Sequence, residues 1–172
     1  MTGSGSRPST TPAEPTAEAL TPPVPGLHAV CDVHVRVGAP EDHGATRVGH
    51  RRVIPITGGT IAGGLEAQIL PGGADWQVIR ADGAIEIDAR YSARTSASEL
   101  VHIRTVGLRS APTEVLARLS RDESVDPREY YFRATVTFES SAPGLAELQD
   151  SVFISANRRD ADGVRYRVYR LS

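Results

Sequence analysis

This chain contains no lysine. All nineteen of its basic residues are arginine. Without a lysine amine there can be no Schiff base, no pyridoxal-phosphate anchor and no phosphate-loop lysine. Arginine-only usage beside one methionine and three phenylalanines fits a GC-rich coding bias. The chemical exclusion holds whatever its origin. There is one cysteine, Cys31, so no internal disulfide can form and nothing demands an oxidising compartment. Cys31 stands in an alternating apolar pattern and reads as a small buried hydrophobe rather than a nucleophile.

No stretch approaches the ~18 consecutive apolar residues of a membrane span, and the N-terminus lacks a signal-type apolar run. The expectation is a soluble cytoplasmic protein. Net charge is −2 with both signs interspersed, so a nucleic-acid footprint is not expected either. The histidines at 28, 34, 43, 50 and 102 show no ligand spacing, and no metal is expected. Neither a Gly-x-Ser-x-Gly elbow nor a Gly-x-Gly-x-x-Gly fingerprint occurs, and no cofactor is expected. Gly58-Gly59 and Gly63-Gly64 read as bracketing a turn with no helix after it, which argues against a phosphate loop. Asp160-Ala161-Asp162-Gly163 lacks the closing glutamate of a calcium loop and reads as a hairpin turn.

What the chain does have is alternation. Residues 1–26 carry six of the twelve prolines. That composition predicts a disordered or extended tail ending near Gly26, because it cannot bury enough apolar surface to offset ordering entropy. From Leu27 onward Ala29, Cys31, Val33, Val35 and Val37 alternate with polar residues, the period of a strand. Further strands are expected at 51–57, 64–70, 75–80, 84–93, 100–107, 130–138, 151–157 and 164–171. Asp82-Gly83 and Asp162-Gly163 are hairpin signals between such runs. Pro112 to Arg121 reads as the one helix, with Thr113 as its cap and Val115, Leu116 and Leu119 as its apolar stripe. Gly144–Gln149 reads as one further turn. The result is an all-β, single-domain chain over 27–172: an antiparallel, closed or nearly closed barrel of about 8–9 strands with one short helix.

Three segments gather candidate chemistry. After the Gly72-Gly73 turn, Asp75, Gln77 and Ile79 share one face of a strand and Trp76, Val78 and Arg80 the other. Either Trp76 forms a cavity wall with Asp75 at its rim as a base, or both are core and turn residues. Glu86, Asp88 and Arg90 alternate with Ile85, Ile87, Ala89 and Tyr91. On pattern alone the charged face is the solvated one; inside a cavity Asp88 and Arg90 would have to pair. Tyr131 and Arg133 lie opposite Phe132, Ala134, Val136 and Phe138, and are either outside or the polar part of a pocket. Arg52 is a weaker candidate. His102 and Arg109 are candidates for the barrel mouth.

Several motifs occur together in order: Ile54-Pro55-Ile56-Thr57-Gly58-Gly59-Thr60, Leu70-Pro71-Gly72-Gly73-Ala74-Asp75-Trp76, Asp88-Ala89-Arg90-Tyr91, Glu129-Tyr130-Tyr131-Phe132-Arg133 and Val168-Tyr169-Arg170. In combination they resemble the bacterial family called domain of unknown function 3237, over about residues 27–172. The resemblance implies a small lipocalin-like or allene-oxide-cyclase-like barrel with an internal cavity, a shape shared by ligand carriers and cofactor-independent cyclases. The family motif keeps Asp88, Arg90 and Tyr91 together, which argues for their facing the cavity. The leading expectation is therefore a barrel binding one small, mostly apolar metabolite. As an enzyme it would be a cofactor-independent cyclase, isomerase or lyase, with Asp75, Asp88 and Tyr131 transferring protons and Arg52, Trp76, Arg90, Tyr91 and Arg133 binding the ligand. The alternatives are a non-catalytic carrier and a structural barrel filled by its own side chains. Self-association into a homo-oligomer is left open.

Overall fold

The computed structural model describes residues 21–172. The expected N-terminal tail lies largely outside these residues. The first strand, β1, begins where alternation begins: Leu27–Val37. It is followed by β2 (Glu41–Thr46), β3 (Gly49–Gly63), β4 (Ala67–Ile69), β5 (Gly73–Ile79), β6 (Ile85–Thr95) and β7 (Leu100–Ser110). Helix α1 (Thr113–Ser120), β8 (Tyr131–Glu139), a 3-10 turn over Pro143–Leu148, β9 (Phe153–Asp160) and β10 (Gly163–Leu171) complete the domain.

The sheet closes on itself. β6 to β10 pair in sequence, β10 pairs β1, and β1 pairs β3. β4 and β5 together fill the last gap, each lying between β3 and β6. They behave as one strand broken by Leu70-Pro71-Gly72, where Gly72 has φ +105. The result is an eight-position antiparallel barrel with two extra strands. β2 is paired only along the N-terminal half of β3. Closure satisfies the ladder hydrogen bonds that an open sheet would expose at its edges.

Three local expectations are corrected. β2 has no apolar alternation in its sequence, Glu-Asp-His-Gly-Ala-Thr, and hydropathy gives no sign of it. Gly58-Gly59 and Gly63 do not bracket a turn; they lie inside the 15-residue β3. A Cβ at Gly59 would stand 2.0 Å from the His34 carbonyl oxygen, so only glycine lets β1 approach here. Thr113 does not cap α1: Pro112 holds the cap position and no side chain bonds the first turn. The Asp82-Gly83 and Asp162-Gly163 turns form as expected, joining β5 to β6 and β9 to β10.

Period two then decides what enters the lumen. At one end the inward residues are apolar: Val101, Ile103, Val136, Phe153 and Val168 are at most 2% exposed. Phe138 and Phe153 meet edge to face with centroids 5.3 Å apart. Cys31 is buried there as expected, and burial pushes its thiol up to about 12, leaving it unreactive. At the other end α1 crosses the rim between β7 and β8. Among the described residues no helix is long and apolar enough to cross a membrane. Because the floor is packed around Phe153, Phe153→Ala should lower stability by about 3–5 kcal/mol in chemical denaturation.

Candidate functional site

The open end of the barrel forms a funnel of about 790 Å³ between the strand ends and α1. Its walls are apolar, from Ile54, Ile79, Ile85, Phe132, Leu116 and Leu119. Its charge comes from Arg52 on β3, Asp75 on β5, Arg109 on β7 and Arg159 on β9, with Gln77 between Arg52 and Asp75, and from Asp82 and Asp122 at the rim. Below Asp75 the lumen narrows to an inner chamber of about 50 Å³, lined by Tyr91, Thr105, Asn157 and Tyr166. That volume suits a water or two rather than a metabolite. Within the lumen the ligand-sized space is thus at the mouth; a second, more open groove of about 800 Å³ lies outside it, between Asp32, Arg133 and Arg165.

Asp75 reaches this place because the Pro71-Gly72-Gly73 kink restarts the strand. A Cβ at Gly73 would stand 2.5 Å from the Arg90 carbonyl oxygen, so the backbones approach closely there. Asp75 Oδ2 accepts a bond from Gln77 Nε2 at 2.5 Å, and Oδ1 accepts one from the Asp88 amide at 3.2 Å. Arg52 Nε donates to Gln77 Oε1 at 2.8 Å. Gln77 therefore bridges Arg52 and Asp75, which form no direct ion pair. Burial pushes the Asp75 carboxyl up to about 6, against the pull of Gln77, the Asp88 amide, Arg109 and Arg52. A carboxyl in that range both gives and takes protons near neutrality.

Arg109 is the most constrained group. It is 8% exposed, and its Nε has no hydrogen-bond partner among the described residues. Its guanidinium lies over the Phe132 ring at 5.7 Å and makes no ion pair among the described residues. Burial and the nearby charges of Arg52 and Arg159 lower it to about 10, so it stays cationic at neutral pH. Arg159 is different: it donates to Asp122 Oδ1 at 3.0 Å and to the Gly163 carbonyl at 2.9 Å. At the chamber floor the Tyr91 and Tyr166 hydroxyls are hydrogen-bonded to each other. Burial raises both phenols, so both stay neutral.

Of the residues expected at the site, Asp75, Arg52 and Tyr91 face the lumen, and Arg109 lines the mouth. The others do not. Asp88 lies on the outer face of β6, paired with Arg90 at 3.1 Å and Arg104 at 3.0 Å. Trp76 is 40% exposed on the opposite face of β5 from Asp75, with Arg90 5.9 Å over its ring. Tyr131 is 53% exposed, and Arg133 stacks over it at 5.6 Å. The reason is one of register: the apolar residues of β6 and β8 fill the lumen, so the charged alternates must face solvent. His102, outward on β7, is exposed. Sequence reasoning missed Arg159, Asn157 and Tyr166. Asn157 and Arg159 lie two and four residues beyond Ser155 on the inward face of β9; the alternation within 151–157 reaches the first, and its extension by two residues the second.

Fold and site together define a closed antiparallel β-barrel with a charged mouth over a packed floor. The chain matches the family model described as protein of unknown function (DUF3237) over residues 25–171, and it belongs to that family. It is 38% identical over 143 residues to a UPF0311 protein of Rhodopseudomonas palustris, covering 83% of this chain and 94% of that one. The structure of a β-barrel-like protein from Acinetobacter baumannii AYE superposes with a TM-score of 0.78 at 36% identity, covering 89% and 99% of the two chains. An enzyme from Penicillium herquei shares the fold at 17% identity, with a TM-score of 0.66 over 88% and 98% of the chains.

Two outcomes follow from the corrected placements. Trp76 emission should lie near that of a solvated indole and be quenched by iodide. Asp88→Ala should cost about 1 kcal/mol or less, as for an exposed pair, measured by chemical denaturation.

Proposed function

We propose that the barrel mouth binds one small, largely apolar metabolite and that Asp75 moves a proton on it without a cofactor, in a cyclase, isomerase or lyase reaction. The observation that carries this reading is Asp75 itself: a carboxyl at the bottom of an apolar funnel, held by Gln77 and the Asp88 amide rather than by an arginine. A purely structural aspartate in a barrel wall would be expected to take a direct arginine partner, and two guanidinium groups are close at hand. Keeping it unpaired leaves its carboxyl up at about 6 and available to a bound molecule.

The remaining roles follow from position. Arg52 and Arg109 stand where negative charge developing on a carbonyl or enolate oxygen would be stabilised. The apolar walls and α1 exclude water from the reacting centre. Tyr91, as a neutral phenol hydrogen-bonded to Tyr166, closes the chamber beneath Asp75 and offers a polar contact to any group reaching that far. The fold neighbour from Penicillium herquei is described as an enzyme, so this barrel type hosts catalysis in that protein.

Solvent deuterium exchange tests the reading. A panel of small cyclic and aryl ketones in D₂O should show exchange next to the carbonyl above the buffer rate, followed by proton NMR. Asp75→Asn should reduce that exchange by about 10²–10⁴-fold, the usual share of a positioned acid–base group. Ketone binding without exchange would make the barrel a carrier. Exchange unaffected by Asp75→Asn would remove Asp75 from the reaction.

A further inference from the structure

We infer that the mouth takes a small organic acid, its single carboxylate seated on Arg109 and Arg52 and its apolar body filling the funnel beneath α1. This rests on the pocket reading above and narrows it to a substrate class.

The Arg109 guanidinium, buried to 8% exposure with an Nε unpartnered among the described residues and no carboxylate partner, is costly, because desolvation is not repaid by an ion pair or hydrogen bonds. Its contact with the Phe132 ring returns only a small part of that cost. A fold selected for stability alone would place an apolar residue there. The orphaned donor points instead to a partner that arrives from outside.

The charge of that partner follows from the surroundings. Arg159 is already occupied by Asp122 and the Gly163 carbonyl. Asp82 at the rim is likewise taken, by Arg80 at 3.0 Å, so Arg52 and Arg109 face the one remaining carboxyl of the lining, Asp75, and one positive charge is left over when Asp75 is ionised. One negative charge on the ligand cancels it. A phosphate dianion would overshoot and repel Asp75. A planar carboxylate also matches the two-pronged donor geometry of a guanidinium, which a tetrahedral group matches less well in a narrow site. The rest of the ligand is set by the walls: Ile54, Ile79, Ile85, Leu116 and Leu119 offer no polar side-chain partner. The funnel volume of about 790 Å³ lies within the ordinary range for small-molecule pockets. The carboxylate therefore sits on Arg109 and Arg52, and the hydrocarbon lies along the apolar wall and the helix.

Calorimetric titration of the full-length protein at pH 7 tests this with three probes: 4-isopropylbenzoate, its neutral amide, and inorganic phosphate. The benzoate should bind at least tenfold more tightly than the amide, and phosphate should give no measurable heat. Arg109→Met, close in volume, should lose the preference by weakening the benzoate at least tenfold while leaving the amide unchanged. The same variant should melt at a higher temperature than the native protein, because it removes an unpaired buried charge. Arg52→Gln should weaken the benzoate in part, and Arg90→Ala on the outer face should leave it unchanged. Equal affinity for benzoate and amide would overturn the anion assignment and leave the pocket standing. Absence of binding by either aromatic probe would overturn both. A lower melting temperature for Arg109→Met with selectivity retained would make Arg109 a structural residue and overturn the assignment.

Discussion

The structure depends on how a closed barrel accommodates charge inside its wall. Alternation sends every second residue of every strand into the lumen, and closure leaves those residues no route back to solvent. Most positions are resolved by apolar side chains, which pack the floor around Phe138 and Phe153. The mouth is not resolved this way. Arg52, Asp75, Gln77 and Arg109 all line the mouth, and the only direct bonds among them run through Gln77. Burying the Arg109 guanidinium, with Arg52 and Asp75 half-buried near it, without an ion pair is expensive. That cost is tolerable only because the remainder of the lumen is well packed, and it is the strongest physical reason to regard the mouth as functional. Stability given up at one layer in favour of a preorganised polar group is the usual pattern at binding and catalytic sites.

The packed floor and the charged mouth are linked. The Tyr91–Tyr166 pair lines the inner chamber below Asp75, satisfying two buried hydroxyls with each other. Leu119 is buried, anchoring the helix over the rim, while Leu116 lines the funnel. The helix is short and connects adjacent strands, which holds it close to the opening rather than free of the barrel.

Much of the fold was legible because strand alternation is a local signal. Leu27 as the first strand residue, both Asp-Gly hairpins and the single helix all followed from spacing. Closure was inferred from strand number and edge avoidance, but the ring order was not readable, since it depends on pairings between strands distant in sequence, such as β1 with β3 and β10. β2 was invisible because a strand outside the ring buries no face and needs no apolar alternation. The site was less legible. For β6 the pattern correctly put Asp88 and Arg90 outside, whereas the family motif argued for the cavity; a shared motif need not face one side of a strand. Asp75 and Trp76 were read as one pocket although adjacent residues point oppositely. Arg109 was legible as a mouth residue, but Arg159 sits near a strand end, where the strand signal at 151–157 had already stopped.

The central claim is that the Asp75 carboxyl is held near neutrality by burial in a charged mouth. Its titration can be followed directly by carbon-13 NMR of aspartate carboxyls, with the Asp75 signal assigned by its loss in Asp75→Asn. The account predicts a midpoint of about 6. Because this lies above the value of an unfolded aspartate, the folded state holds the proton more tightly. The contribution of Asp75 to stability is then fully present at pH 3 and is lost as pH rises from about 4 to about 6. A midpoint near 4, with no such decline distinguishing the native protein from Asp75→Asn, would show an ordinary solvated carboxylate and contradict the account.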